Sequence, residues 1–142
     1  MIYLDTGCLV KLYYPEPDSA QIISLIQGRP IFYTRLHELE FTNALQLKLF
    51  FKNATAAQIA AARTLVETDL KSGVLLSTAV EWNTVFEQAT KLAEQHTGTI
   101  GCRSLDILHC ATAKVIASKE FVTTDTRQKF LAKTTGLNLA VL

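Results

Sequence analysis

The strongest constraint on the fold is an alternation of short apolar runs with longer segments of helical periodicity. The apolar runs have the length of buried strands, and they are Ile2–Leu4, Ile31–Tyr33, Val74–Leu76, Phe121–Thr123 and Leu139–Val141. The helical patterns are Ala20–Gln27, Leu36–Phe51, Thr55–Lys71, Val80–Gln95, a segment capped by Ser104, and Arg127–Thr135. Strands that alternate with helices form a parallel sheet covered on both faces. We therefore expect an α/β, three-layer fold with four to five parallel strands.

The helices between the second and third apolar runs are predicted to form a protruding helical hairpin. This hairpin spans Leu36 to Lys71, and Gly73 ends it. The 142 residues contain no repeat and no linker, so one domain covering residues 1–142 is expected.

Composition narrows the class of protein. The three cysteines, Cys8, Cys102 and Cys110, include no CxxC pair, which argues against a disulfide framework or a zinc ribbon. The start of the chain lacks the pattern of an export signal, and no apolar run approaches ~18 residues. A cytoplasmic protein without a membrane span is therefore expected. The net charge of +1 argues against a tight, nonspecific coat for nucleic acid.

Two of the apolar runs end in an aspartate. Asp5 follows the first run, and Asp125 follows the run that starts at Phe121. Ligands of open α/β sheets collect beyond the carboxyl ends of the strands. Either acid alone is as often an ordinary loop residue as a functional one. Two parallel strands that both end in an aspartate, however, place both carboxylates at the same edge of the sheet.

Two further acids are candidates on helices. Asp106 follows Ser104 in a first turn, where the helix dipole by itself explains a negative charge and Arg103 can offset it. Its apolar neighbours favour a more buried role. Glu38 and Glu40 lie about 200° apart around one helix, so both cannot face the same way. Glu40, next to Phe41, is the preferred inward residue, and spacing alone leaves the choice open.

A family resemblance rests on five segments in order: Tyr3-Leu4-Asp5-Thr6; Leu9-Val10-Lys11-Leu12-Tyr13 with Pro15-Glu16-Pro17; Leu39-Glu40-Phe41-Thr42-Asn43-Ala44-Leu45; Arg103-Ser104-Leu105-Asp106-Ile107-Leu108-His109-Cys110-Ala111; and Phe121-Val122-Thr123-Thr124-Asp125. Together they resemble the motifs of PIN-domain ribonucleases, most closely the VapC-like toxins of toxin–antitoxin pairs. The resemblance covers essentially the whole chain and implies a PIN-like fold.

The resemblance also implies a carboxylate pocket that binds Mg²⁺ or Mn²⁺ and cuts RNA. Its acids fall on Asp5, Glu40, Asp106 and Asp125, and its hydroxyl positions fall on Thr6 and Thr124. Carboxylates crowded together raise each other's pKa unless a cation joins them, and oxygen ligands suit these ions. We assign the three aspartates to the metal and Glu40 to the attacking water.

The chain departs from the family pattern at two places. Gly7 replaces a frequent serine, and Thr126 with Arg127 replaces an acid found in some relatives. The second departure bears on whether one or two ions bind.

Basic and histidine side chains supply further candidates. Lys11, Arg103 and Arg127 are predicted RNA contacts, Arg127 because it opens the helix after Asp125. His109 lies one turn after Asp106 and either supports the metal ligands, contacts a phosphate or packs beneath the pocket. His37 and His96 are expected at the surface.

Two alternative functions stay open. Asp5 also fits an aspartyl-phosphate enzyme, but Gly7 stands where a second acid is expected. A non-catalytic module that binds RNA or protein is the other, and the presence of all four acids argues against it. The resemblance implies an RNA substrate and a cognate antitoxin. Together with the exposed hairpin and the apolar stripes, the resemblance also suggests a homodimer, and Phe50 and Phe51 are expected to pack at the hairpin tip or in an oligomer interface.

Overall fold

The structure, a computed structural model, describes residues 1–140. In chain order the elements are β1 (Ile2–Leu4), α1 (Thr6–Tyr13), α2 (Ser19–Ile26), β2 (Ile31–Tyr33), α3 (Arg35–Phe50), α4 (Ala56–Ser72), β3 (Leu75–Ser77), α5 (Trp82–Leu92), a π-helical segment (Ala93–Thr97), α6 (Gly98–Ile100), α7 (Ser104–Val115), β4 (Glu120–Val122) and α8 (Thr126–Thr134). The predicted α/β class, with parallel strands and flanking helices, is confirmed.

The chain folds as two compact units. The first comprises Met1–Asp5 and the chain from Ala79 onward. In it β1 pairs in parallel with β4, with Tyr3 opposite Phe121. These two rings are completely buried and stack with centroids 5.8 Å apart. Helix α7 packs on both α5 and α8 in this unit.

The second unit is Thr6–Thr78. Its strands β2 and β3 are parallel, with Ile31 opposite Leu75. Helix α1 packs on α2, α3 and α4, and α4 contacts β3. Helices α3 and α4 follow each other across a short connection and are in contact, as predicted for the hairpin. None of the helices within residues 1–140 is long and apolar enough to cross a bilayer.

Several sequence predictions are corrected. Helix α1 was not predicted, because its eight residues follow β1 after a single residue and leave no room for a separate loop. Leu139 forms only an isolated parallel bridge to Phe121, so a fifth strand is not described, and Val141 lies outside the described residues.

The start of α7 and the burial of His37 differ from the prediction. Ser104 is the first helical residue of α7, and Arg103 occupies the N-cap position without a side-chain cap bond. His37 is completely buried rather than at the surface, and its ring stacks on that of Tyr33 with centroids 5.9 Å apart. The His37 ring Nδ1 accepts from the Thr34 backbone N–H, and the Thr34 hydroxyl accepts from the His37 N–H. This reciprocal pair is a capping box that starts α3.

Candidate active site

Asp5 extends the parallel ladder of the first unit by one residue beyond β1. Its backbone N–H donates to the Val122 carbonyl oxygen at 2.9 Å. The residue is buried, and its carboxylate oxygen Oδ2 accepts from the Thr123 hydroxyl at 2.5 Å. The backbone and the side chain therefore both fix this carboxylate at the carboxyl end of the strands, as predicted.

Thr123 is a site residue that the sequence analysis missed. It is buried, donates to Asp5 and accepts from the Asp125 backbone N–H at 3.0 Å. The family resemblance pointed to its half-buried neighbour Thr124. The signal that could have identified Thr123 is its position two residues before Asp125, because alternate residues of an extended chain face the same side.

Asp125 caps helix α8 and also contacts Arg103. Its oxygen Oδ1 accepts from the Gln128 backbone N–H at 2.9 Å and so caps α8. Its other oxygen, Oδ2, lies 3.4 Å from Nη2 of Arg103. The helix N-terminus favours a negative charge at this position.

Asp106 is buried at the start of α7, and Arg103 binds it with two hydrogen bonds. Nε of Arg103 donates to Oδ2 at 2.8 Å, and Nη2 donates to Oδ1 at 3.1 Å. The expectation that Arg103 offsets this charge is met. Because Nη2 also reaches Asp125, one guanidinium bridges two of the predicted metal ligands.

The three predicted aspartates are thus brought together in one chain of contacts. It runs from Asp5 through Thr123 to Asp125, and through Arg103 to Asp106. Within residues 1–140 no group of three or more His, Cys, Asp or Glu side chains is already arranged as a metal-binding set. The donors still fit a hard divalent ion, since they are carboxylate oxygens and a cation already balances two of them.

Glu40, the fourth predicted acid, lies in the second unit. It is half-buried, and its oxygen Oε2 accepts from the Thr6 hydroxyl at 2.7 Å. Glu38 is exposed and pairs with Arg35 at 2.5 Å. Of the two glutamates, Glu40 is therefore the one held inside its unit, in agreement with the preferred choice. Thr6 follows Asp5 directly in the chain.

His109 packs beneath this cluster. It is buried, and its Nδ1 lies 2.8 Å from the Tyr3 hydroxyl. The two rings meet edge to face, with centroids 5.7 Å apart. The structure therefore supports the packing interpretation of His109: it links α7, one turn below Asp106, to β1.

The predicted RNA contacts differ in their surroundings. Lys11 is mostly buried and binds Asp18 at 2.5 Å. Burial lowers the pKa of Lys11, but the hydrogen bond and the charge of Asp18 outweigh it, so the net pKa is raised. This pair joins α1 to the start of α2. Arg127 is exposed in the first turn of α8.

Two thiols near the cluster are not activated. Burial raises the pKa of both Cys102 and Cys110, and the negative charge of Asp106 adds to the shift. At neutral pH both are therefore protonated, which argues against thiolate chemistry.

A groove of about 440 Å³ lies in the second unit at the carboxyl ends of β2 and β3. Tyr33 and Phe41 line it together with two arginines and two glutamates, Arg35, Arg63, Glu38 and Glu67. Its charges balance, so it offers no excess positive charge to a nucleic-acid backbone.

Comparison with known proteins gives a family and a fold. The model of the PIN domain family matches residues 2–134. The crystal structure of FitAcB from Neisseria gonorrhoeae contains a similar chain, with 18% identity, a TM-score of 0.62, and coverage of 99% of this chain and 97% of that one. The structure of FitAB bound to an IR36 DNA fragment also contains one, with 18% identity, a TM-score of 0.66, and coverage of 99% and 94%. No curated protein sequence matches.

Proposed function

The chain belongs to the PIN-domain family, whose members are in general nucleases that use divalent metal ions, and from this premise we propose that it is a Mg²⁺- or Mn²⁺-dependent endoribonuclease of the VapC-like toxin kind. The observation that carries the proposal is the chain of contacts that gathers Asp5, Asp106 and Asp125 around Thr123 and Arg103. A structural role alone does not require one arginine to pair with both Asp106 and Asp125 while one threonine links Asp5 to the backbone of Asp125.

In this proposal Asp5, Asp106 and Asp125 hold the ion, directly or through water. When bound, such an ion lowers the pKa of a coordinated water and neutralises charge on the scissile phosphate. The protein fixes two of the three carboxylates in advance, because Thr123 holds Asp5 and the start of α8 holds Asp125. Preorganised ligands avoid the cost of ordering them during the reaction.

Glu40 is proposed to orient the attacking water and to accept its proton. General base catalysis requires a carboxylate whose direction is fixed, and the Thr6 hydroxyl supplies that restraint on one oxygen. The second oxygen of the carboxylate can then accept the proton.

RNA is proposed to bind through its phosphates. Arg127, exposed at the first turn of α8, and Arg103 are the cations nearest to the aspartates in sequence. With a net charge of only +1, binding should be moderate and should weaken as the salt concentration rises.

We also propose two protein partners. A cognate antitoxin follows from the resemblance to VapC-like toxins, and one structural neighbour, FitAB, was solved in complex with DNA. A second copy of the chain is supported by the exposure of Phe50 and Phe51, which are 75% and 62% accessible. Large exposed aromatic side chains are typical of interfaces.

The test is RNA cleavage by the intact chain with Mg²⁺ or Mn²⁺ and with EDTA. We expect cleavage only with the metal, and a loss of at least about a hundredfold in Asp5→Asn and Asp106→Asn, comparable to the loss of one preorganised hydrogen-bond donor in other enzymes. Circular dichroism should show that both variants stay folded. Cleavage in EDTA or by Asp5→Asn would contradict the proposal, and a DNA of the same sequence tests the preference for RNA.

A further inference from the structure

Arg103 uses both edges of its guanidinium on the carboxylates proposed to hold the metal. Nε and Nη2 take the two oxygens of Asp106, and Nη2 also reaches Oδ2 of Asp125. A planar guanidinium matches a carboxylate in this bidentate arrangement better than any other side chain. The two aspartates are therefore joined by a cation that belongs to the chain itself.

The exposure of Asp106, Asp125 and Arg103 shows on which side of the carboxylates the guanidinium lies. The side chain of Asp106 is 11% exposed and that of Asp125 is 36% exposed, whereas the side chain of Arg103 is 67% exposed. Arg103 therefore covers the carboxylates from the solvent side. It can leave by rotating its own side chain, without any change in the buried core.

Arg103 and a divalent ion compete for the same position at Asp106 and Asp125. Both need the same carboxylate oxygens, and a positive guanidinium at this position repels a second cation. Taking Arg103 away without replacement leaves Asp106, mostly buried, close to Asp125 with no balancing charge, and such a state is unfavourable.

We propose that Arg103 is a built-in competitor of the metal, which balances Asp106 and Asp125 in the metal-free protein and is displaced when a divalent ion binds. This inference rests on the proposed function. It also gives Arg103 a metal-dependent second role, because the displaced guanidinium becomes available to a phosphate of the RNA. Metal binding and engagement of RNA by Arg103 are thereby coupled.

The first test measures Mn²⁺ binding by calorimetry, without RNA. The Arg103→Ala variant should bind Mn²⁺ about tenfold more tightly than the wild type, a coupling of ordinary size between two sites. Arg127→Ala is the matched control, since it removes the same charge two residues after Asp125, and its gain in affinity for Mn²⁺ should be clearly smaller than that of Arg103→Ala. Equal or weaker binding by Arg103→Ala, or equal tightening in Arg127→Ala, overturns the inference.

The second test measures thermal unfolding in EDTA and in excess Mg²⁺. Arg103→Ala should unfold at a lower temperature than Arg127→Ala in EDTA, and Mg²⁺ should raise its midpoint more than that of the wild type. If Arg103 were only a surface residue, the two variants would behave alike in both solutions, and the inference would fail.

The third test uses the wild-type chain and so does not depend on how a variant folds. In a nitrogen-15 NMR titration with Mg²⁺, the Nε–H signal of Arg103 should shift with the same saturation curve as the backbone amide of Asp106. A signal that stays unchanged while the Asp106 amide shifts contradicts displacement.

The outcome separates this inference from the proposed function. If Arg103→Ala gains no affinity for Mn²⁺ while the wild type cleaves RNA with metal, only the competition fails. If the competition is observed but no RNA is cut, the proposed activity fails. If neither chain binds Mn²⁺, both fail.

Discussion

At the scale of single residues, the site depends on side chains that hold the carboxylates as much as on the carboxylates themselves. Thr123 illustrates this, since its one hydroxyl group donates to Asp5 and accepts from the backbone N–H of Asp125. It contributes no charge and contacts two predicted metal ligands. We regard it as a positioning residue.

Replacing Thr123 by valine should leave two buried polar groups without their partner. The expected cost in unfolding free energy is about 1–3 kcal/mol, and RNA cleavage should fall together with the affinity for Mn²⁺. The measurements are chemical denaturation and a Mn²⁺ titration. Thr123→Ser, which keeps the hydroxyl, is the control and should retain most of the unfolding free energy and most of the affinity for Mn²⁺. Loss of stability in the valine variant with unchanged Mn²⁺ affinity would show a purely structural role.

Glu38 and Glu40 offer a matched pair of substitutions on one helix. Glu40 accepts from Thr6 in a half-buried position, whereas Glu38 is exposed beside Arg35. Glu40→Gln should lower kcat for RNA cleavage by about a hundredfold or more, because the amide cannot accept the proton of the attacking water. Glu38→Gln should stay close to the wild type. Equal losses in both variants would refute the assignment of the base to Glu40.

At the scale of secondary-structure elements, the strands and helices that could be predicted are those with a clear local sequence pattern. The strands and most helices were recognised from periodicity, and Gly73 ends α4 in a left-handed conformation, as glycine allows. Most helix boundaries moved by one or two residues, since frayed ends carry no strong signal. The helix predicted over Val80–Gln95 instead ends at Leu92, where a π-helical segment begins. The burial of His37 was not predicted because it depends on tertiary packing, whereas its capping box with Thr34 is a local pattern that marks only the start of α3.

In the candidate site, too, some features follow from local sequence and others depend on tertiary packing. The positions of Asp5 and Asp125 follow from where β1 and β4 end, so both could be placed at that edge from the sequence. The bridge from Arg103 to Asp125 spans 22 residues of chain, and the contact of Thr123 with Asp5 spans 118. Such pairings depend on tertiary packing, which no local pattern encodes. The resemblance to PIN domains identified the acids but not the side chains that hold them.

The contact between α1 and α4 predicts a pH dependence of stability. The Tyr13 hydroxyl donates to Oδ2 of Asp69 at 2.8 Å, and burial together with this bond raises the pKa of Tyr13 well above its usual value. The folded chain keeps the proton at a pH where the unfolded chain, with a tyrosine pKa of about 10, has lost it. The stabilisation is therefore complete below about pH 10 and is lost as the pH rises further.

Urea denaturation between pH 8 and pH 11 measures this effect. We expect the unfolding free energy of the wild type to fall above about pH 10 and that of Tyr13→Phe to fall less steeply. The slope should not vanish in the variant, because burial also raises the pKa of Tyr33. Identical slopes in the two proteins would contradict the assignment to Tyr13.

At the scale of the whole molecule, the remaining question is what covers the exposed aromatic end of α3. Phe50 is 75% exposed and Phe51, directly after the helix, is 62% exposed, and their rings pack edge to face with centroids 5.1 Å apart. Two large apolar side chains left in water lose the free energy that burial would provide, about 1.5–3 kcal/mol for each phenylalanine. A second copy of the chain could bury them in a symmetric contact.

We therefore expect light scattering to give the molar mass of two chains at micromolar concentration, and the mass of one chain for the Phe50→Ser/Phe51→Ser double variant. Because both residues lie at the surface, the double variant should keep its helical content and its unfolding free energy, and RNA cleavage per chain should change little. Phe130→Ser on α8 is the control, since Phe130 is as exposed as Phe51, at 62%, and lies in the other unit. A monomeric wild type would contradict the expected dimer, and a double variant that stays dimeric would place the interface elsewhere.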